Sequence, residues 1–209
     1  MKLDLHIHSK YSFDSRSDVA GIIRAAKARG LDGAAITDHE TMAGVGEALG
    51  VAKKEGFTLI PAEEILTEKG EIIGYMLSEE IHAKDPFEAV DLIHEQGGLS
   101  SIPHPFDALR SSAINDLELI EQLKNKIDFI EINGRCIPKY NRLAREFAEK
   151  NKITLVAGSD AHTLGEIGRF YTVAEGGLED KKTNIVASES LVYPLWIRAK
   201  TKVMKVLGV

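Results

Sequence analysis

Short apolar stretches alternate with longer amphipathic ones along most of this chain. The first, KLDLHIH (2–8), alternates aliphatic and polar residues with the two-residue period of a strand, so an aspartate and two histidines share one face. The next, SDVAGIIRAAKARG (17–30), has apolar residues at helical spacing, a residue that can cap its start, and a glycine at its end. We predict strands at 1–8, 33–37, 57–66, 70–77, 99–105, 127–133, 152–162 and 170–175, and helices at 17–30, 44–55, 85–98, 115–126 and 138–150.

This order of elements predicts the fold class. Alternating strands and helices favour parallel strands with the helices packed outside them. About seven strands in a chain of this size favour a single α/β domain built as an open or irregular barrel, with 57–66 and 70–77 forming a hairpin-like excursion. We place the domain at 1–190 and a basic helical tail at 191–209. The tail would pack on the barrel, contact a second copy, or contact a membrane surface.

Composition narrows the classes of function. The 209-residue chain has a formal charge of −6 and a pI of about 5.7, so we expect no stable nucleic-acid complex. A single cysteine, Cys136, excludes an intramolecular disulfide and favours a reducing compartment. No apolar run approaches the roughly 20 residues that a membrane span needs, and the N-terminus lacks the apolar segment of a signal peptide. We therefore expect a cytoplasmic protein without a membrane partner, and the oligomeric state stays open.

Histidines and carboxylates concentrate at the ends of the predicted strands. In parallel α/β barrels the C-terminal strand ends meet at one mouth, which is where active sites lie. Five of the seven histidines lie at or just after such an end: His6, His8, His39, His104 and His162. The same regions bring carboxylates: Asp14, Asp38, Glu63, Glu64, Glu71, Asp107, Glu131 and Asp160.

Imidazole and carboxylate groups together suit Zn, Mn or Fe ions. So many carboxylates in one place would repel one another without cations. The pattern therefore predicts a metal centre at the mouth of the barrel. A polar network without metal is the alternative.

The motifs and their order resemble those of the polymerase and histidinol phosphatase (PHP) domain family over roughly residues 1–175. The pieces are HxH (6–8), SxD (12–14), TDH (37–39), PAEE (61–64), IPHP (102–105), ExN (131–133) and GSDAH (158–162). The resemblance implies a distorted (β/α)7 TIM-like barrel that holds two or three divalent metals. It also implies hydrolysis of phosphoesters, since family members act on histidinol phosphate, nucleotide phosphates or DNA ends.

The resemblance further implies three sets of metal ligands. The first metal would be held by His6, His8, Glu64 and Asp160, the second by the bridging Glu64 and His104, and the third by Asp14, His39 and His162. Glu71 stands where many members have a histidine, and we expect it to ligate the second metal. Glu63, next to the inward Glu64, is expected to point outward or to support the ligands.

The expected mechanism is metal-assisted attack on phosphorus. A hydroxide bridging the first two metals would attack, with Glu64 bridging the metals and Asp160 orienting or deprotonating the water.

Substrate contacts are expected from Arg110, Arg135 and Asn133, because guanidinium groups bind phosphate oxygens in pairs. The alternative is that Arg110 pairs with Asp107 and Arg135 with Glu131.

Two supporting roles complete the expectations. Asp38 and Glu131 are expected to orient histidines rather than to bind metal. Cys136 is expected to be a buried structural thiol.

Three functions remain open on the sequence. The first is hydrolysis of a small phosphorylated metabolite, a nucleotide being one candidate. The second is hydrolysis of an amide or lactone, because HxH on a first strand also resembles amidohydrolases. Those barrels usually add a metal-binding lysine on a middle strand, and no predicted strand here carries one near its C-terminal end. The third is a non-enzymatic, metal-stabilised accessory domain.

Overall fold

The computed structural model describes residues 1–187, so the tail predicted at 191–209 lies outside the described residues. The strands are β1 (Lys2–Ile7), β2 (Gly33–Ile36), β3 (Thr58–Thr67), β4 (Gly70–Tyr75), β5 (Leu99–Ile102), β6 (Phe129–Asn133), β7 (Thr154–Gly158), β8 (Phe170–Ala174) and β9 (Thr183–Ala187). The helices are α1 (Val19–Ala28), α2 (Val45–Glu55), α3 (Pro86–Glu95), α4 (Leu117–Leu123) and α5 (Pro138–Asn151).

Strands β1 to β7 follow one another around a nearly closed barrel. All neighbouring pairs are parallel except those of β4, which runs antiparallel to β3 and β5. The chain after β7 returns to β1, where the backbone N–H of His8 donates to Ala161 O at 2.9 Å. The predicted α/β fold, a distorted barrel in one domain, is confirmed.

The hairpin predicted from 57–66 and 70–77 exists, but it is not an excursion. Strand β4 forms part of the barrel wall between β3 and β5. The last predicted strand, β8, is followed by β9, which was not predicted. Its short TNIVA segment does not alternate apolar and polar residue types, so the two-residue period of a strand is not visible in the sequence.

Strand β8 enters the sheet beside the start of β1 and lies next to β7. The Thr172 hydroxyl satisfies both backbone groups of Ala157 on β7, accepting from its N–H at 2.8 Å and donating to its carbonyl at 3.1 Å. One side chain thus replaces two ladder hydrogen bonds where the barrel wall is incomplete.

The helices cover the outside of the barrel with their apolar sides. Helix α1 begins after Asp18, whose carboxylate accepts from Gly21 N at 2.9 Å, and it buries an apolar stripe against β1 and β2. Asp85 and Asp116 cap α3 and α4 in the same way. Within residues 1–187, every helix is too short or too polar to cross a membrane.

Candidate metal centre

The two histidines of β1 point into the barrel mouth, as their alternation predicts. Both are buried, and their Nε2 atoms lie 3.1 Å apart. Each Nε2 is 3.4 Å from Glu64 Oε2, and Asp160 Oδ1 is 3.7 Å from His6 Nε2 and 3.4 Å from His8 Nε2. Strands β1 and β3 and the loop after β7 therefore bring four ligand atoms to one point.

The carboxylate oxygens at this point lack hydrogen-bond partners. Glu64 Oε2 and Asp160 Oδ1 are both buried without a donor among the residues that the structure describes. A buried, unpaired carboxylate oxygen is costly. Two of them facing two imidazole nitrogens form a donor set that fits a divalent cation.

Glu64 links this point to a second one. Its Oε1 atom lies 3.1 Å from His104 Nε2, which is 3.3 Å from Glu71 Oε2. On the other side, His39 Nδ1 lies 3.1 Å from Glu64 Oε2 and 3.4 Å from Glu71 Oε1. Glu71 Oε2 is another buried oxygen without a hydrogen-bond donor within residues 1–187. The two oxygens of Glu64 thus face different sets of nitrogen atoms, which suits a bridging carboxylate.

A third set of groups lies nearer the surface. Asp14 Oδ2 is 2.8 Å from His162 Nε2 and 3.5 Å from His39 Nε2. The ring of His8 lies beside both histidines, with centroid separations of 4.4 Å to His39 and 4.3 Å to His162. All nine residues expected to bind metal therefore lie in one contiguous cluster of side chains at the barrel mouth, which we call the pocket.

Several carboxylates crowd the site, and the pKa values of its histidines respond to their charge. Burial lowers the pKa of His6, but the charges of Glu131, Glu64 and Asp160 outweigh it and raise the pKa well above the ordinary value. For His39, burial is likewise outweighed, chiefly by Glu64, and the pKa rises to about 9. Such a field attracts cations into the pocket.

The pKa of His8 shifts in the opposite direction. Burial, together with the electrostatic effect of the neighbouring His162, lowers the pKa of His8 to about 3, so the imidazole of His8 is neutral. A neutral imidazole has a lone pair available for a metal. The pKa values of Glu64 and Asp160 lie well below their ordinary range, because histidines, and for Asp160 also Arg110, outweigh the effect of burial.

Glu131 orients the histidines, as predicted. Its Oε1 atom lies 2.8 Å from His6 Nδ1, and its Oε2 accepts the backbone N–H of His104 at 2.9 Å. Asp38 differs from its prediction. Its carboxylate accepts both the N–H and the hydroxyl of Ser9 at 2.6 Å, so it anchors the loop after β1 instead of a histidine.

The loop after β7 is held in an unusual backbone conformation. Asp160 has a φ of 54°, and His104, in the loop after β5, has a φ of 33°. Such angles are sparsely populated by residues other than glycine and persist only where the surroundings impose them. Asp4 contributes by accepting from Ser159 N at 2.8 Å and Ser159 Oγ at 2.6 Å, and burial, partly offset by these bonds, raises the pKa of Asp4 to about 6.

The residues expected to contact substrate lie at the same mouth. Arg110 Nη2 donates to Asp160 Oδ2 at 2.6 Å, while its Nε is 3.9 Å from Asp107. Asn133 is buried and donates to Glu131 Oε2 at 2.9 Å and Asp160 Oδ2 at 3.3 Å. The Asn133 amide therefore holds the carboxylates of Glu131 and Asp160 in position.

Arg135 does not pair with Glu131. Its Nε donates to Glu166 Oε1 at 3.1 Å, and its Nη1 lies 3.1 Å from His162 Nδ1. Cys136 is buried, with Sγ 3.4 Å from Asp107 Oδ2, and burial raises the pKa of its thiol well above the ordinary value. A buried thiol of this kind is not poised as a nucleophile.

Glu166 is a residue of the site that was not predicted. The other oxygen of this buried carboxylate accepts from His162 N at 3.1 Å and from Thr163 N at 2.8 Å, so Glu166 fixes the loop that carries His162. Its position four residues after His162 is the only signal in the sequence, and loop conformation decides what such a residue touches.

A family model and several known proteins match this chain. A family model described as PHP-associated matches residues 138–183. Two uncharacterised proteins of Methanocaldococcus jannaschii are 36% and 40% identical over 176 and 120 residues, covering 82% and 52% of this chain and 69% and 70% of their own lengths. The PolC-type DNA polymerase III of Bacillus subtilis is 26% identical over 125 residues, which are 59% of this chain and 9% of that protein.

Solved structures share the fold. A two-domain protein from Bacteroides vulgatus, described as containing a predicted PHP-like metal-dependent phosphoesterase, superposes with a TM-score of 0.73 at 21% identity. The match covers 90% of this chain and 64% of that protein. An amidohydrolase from Chromobacterium violaceum, with bound sulfate and no metal, gives 0.67 at 18% identity over 88% of this chain and 97% of its own. The relatives, the fold and the ordered motifs agree: the chain belongs to the PHP domain family.

Proposed function

We propose that this protein is a metal-dependent hydrolase that cleaves phosphoester bonds of small phosphorylated molecules. The observation that carries the proposal is the pair of buried, unpaired oxygens, Glu64 Oε2 and Asp160 Oδ1, which face the Nε2 atoms of His6 and His8. The likeness to a protein described as containing a predicted PHP-like metal-dependent phosphoesterase supports it.

The ligand sets are those described above, and they would hold two or three ions of Zn, Mn or Fe. When bound, such ions activate water and neutralise the charge of a phosphate. Glu64 would hold two of them through its separate oxygens, with Glu71 supplying the carboxylate where many relatives have histidine. The third group, around Asp14, is the most accessible and would lie nearest to incoming substrate.

The two carboxylate oxygens of Asp160 have different surroundings. Its Oδ2 is fixed by Arg110 at 2.6 Å and by Asn133 at 3.3 Å, so its Oδ1 stays directed at the two histidines of β1. Asp160 would then help to hold the first metal and also orient the attacking water. Asn133 then acts as a positioning residue, since its amide is occupied by carboxylates.

Arg110 is the residue best placed to bind phosphate. Its guanidinium is partly exposed at the mouth and has further N–H donors beyond the one given to Asp160. Arg135, by contrast, holds Glu166 and His162, and its expected effect on substrate is through the position of His162.

The test is a metal analysis combined with a panel of phosphoesters, with Zn, Mn and Fe supplied in turn. The double variant His6→Ala, His8→Ala should keep its circular dichroism spectrum and lose at least about 100-fold in activity, as expected when ligands of an essential metal are removed. His82→Ala removes an exposed histidine and serves as the matched control. Wild-type turnover by the double variant contradicts the proposal.

Hydrolysis of a non-phosphate bond is the second candidate, favoured by the structural likeness to an amidohydrolase. Among the described strands, lysine occurs only as Lys2, at the end of β1 away from the mouth. Adding amides and lactones to the panel separates the two functions. A protein that turns over none of these substrates with any metal would instead indicate a non-enzymatic accessory domain.

A further inference from the structure

Three aromatic rings form a column from the metal centre to solvent. His8 is buried, and its ring stacks on His39 at a centroid separation of 4.4 Å and an interplanar angle of 27°. His39 in turn stacks on Phe13 at 5.0 Å and 26°. Phe13 is 81% exposed, the most exposed of the large apolar side chains in residues 1–187. The column therefore ends in an aromatic ring whose outer side faces water.

The backbone on both sides of Phe13 is fixed. Ser12 N donates to Ser9 O at 3.0 Å, and Ser12 Oγ accepts from His39 N at 3.1 Å. On the other side, Asp14 is held by His162 at 2.8 Å. Both neighbours are therefore anchored to residues at the metal centre, and the backbone that carries Phe13 is positioned beside His39.

A single exposed apolar residue is ordinary on a protein surface. Phe13 differs from the others in its location, since it covers one side of a histidine that faces the pocket. Leu49 on α2 is 45% exposed and lies on a helix outside the barrel, away from any ligand residue. The position of Phe13, more than its exposure, indicates a function.

We propose that Phe13 is a specificity-determining residue that stacks on a planar ring in the alcohol portion of the substrate. The inference rests on the proposed function, because a phosphate bound at the metal centre would bring the rest of the substrate past the mouth. A ring attached through a short linker such as a sugar would continue the column beyond Phe13. Stacking of this kind favours flat rings of any hydrogen-bonding pattern, as in single-stranded nucleic-acid recognition.

The experiment compares two phosphoesters that differ only in the ring. Adenosine 5′-monophosphate and ribose 5-phosphate are hydrolysed by the metal-loaded protein, and KM and kcat are measured for each. Phe13→Ala should raise KM for the adenosine compound about tenfold, the size expected for one lost stacking contact, and leave KM for ribose 5-phosphate unchanged. Phe13→Tyr should restore the wild-type values, and Phe13→Leu should not. Leu49→Ala, the matched control, should change neither substrate.

The outcomes separate this inference from the proposed function. If Phe13→Ala alters both substrates by the same factor, Phe13 acts through His39 and the inference is wrong. If the wild type hydrolyses both with the same KM and the variant changes neither, the inference fails while the proposed function stands. If the wild type hydrolyses no phosphoester with any metal, the proposed function fails and the inference with it.

Discussion

At the scale of single residues, the carboxylates of the site differ in how their two oxygens are used. Glu131 uses both oxygens to hold histidines in place, whereas Asp160 has one oxygen held and one unpaired. The arrangement depends on close approach of the backbone between β1 and β7. A Cβ added at Gly158 would overlap His6 Cβ and would lie 2.7 Å from His6 N and 2.8 Å from Glu131 Oε1. Only glycine fits there.

Gly158→Ala should therefore destabilise the protein by about 2–3 kcal/mol, because the neighbouring atoms are backbone or a fixed carboxylate and cannot move away easily. Urea unfolding followed by circular dichroism measures the change. The matched control is Gly50→Ala, in the middle of α2, where no atom of residues 1–187 outside the helix backbone lies within 4 Å of the added Cβ. That variant should gain up to about 1 kcal/mol. Equal stability of the two variants would contradict the steric argument.

At the scale of elements, carboxylates also tie helices and strands together outside the pocket. Asp128, just before β6, accepts from Ser100 N at 2.7 Å on β5 and from Lys181 Nζ at 2.6 Å in the turn before β9. His94 Nε2 on α3 lies 2.9 Å from the same carboxylate. Burial raises the pKa of Asp128, but Lys181, Ser100 and His94 outweigh it, and the pKa lies below the ordinary value of 3.8.

This depressed pKa gives a pH-dependent stability with a definite sign. The folded protein binds fewer protons than the unfolded chain, so the contribution of ionised Asp128 is present above about pH 4 and is lost as the pH falls toward the folded pKa. Asp128→Asn should cost about 1–2 kcal/mol at neutral pH and less near pH 3. Denaturant unfolding across this range is the measurement.

Asp91→Asn provides the control for that experiment. Asp91 pairs with Lys126 on an exposed surface, so its removal should have little effect at either pH. A difference between wild type and Asp128→Asn that stays constant with pH would show that the carboxylate charge is not what stabilises this junction.

At the scale of the whole molecule, the barrel gathers acidic groups that repel one another. Four carboxylates share the pocket: Asp14, Glu64, Glu71 and Asp160. If cations neutralise them, as proposed, chelation should lower the melting temperature by about 5 °C or more, because a ligand that binds only the folded state stabilises it. Thermal unfolding with and without a chelator tests this. The His6→Ala, His8→Ala variant should respond less. An unchanged melting temperature after complete metal removal would oppose a stabilising role for the ions.

The sequence predicts the fold and most of the candidate site, for reasons that particular residues make clear. Alternation in β1 places His6 and His8 on one face whatever the remainder of the chain does. The βα order predicts that the other strand ends will meet them. The partners of Arg110, Arg135 and Asp38 are not predictable in this way, since each lies in or beside a loop. The conformation of these loops, which no strand or helix period encodes, determines the contacts of the three residues with Asp160, Glu166 and Ser9.

By itself, then, the sequence determined the barrel, its apolar faces and the concentration of histidines and carboxylates at one mouth, because strand and helix periods are local properties. Only the tertiary structure decided how Glu71 joins them. Glu71 lies near the start of β4, and it reaches the C-terminal mouth because β4 runs antiparallel to β3, with Glu71 opposite Leu66. The hairpin predicts that direction, whereas the place of β4 in the barrel wall depends on its pairing with β5, which is distant in sequence and which no local pattern records. The same holds for the stacking of Phe13 on His39, which are distant in sequence and meet only in the folded chain.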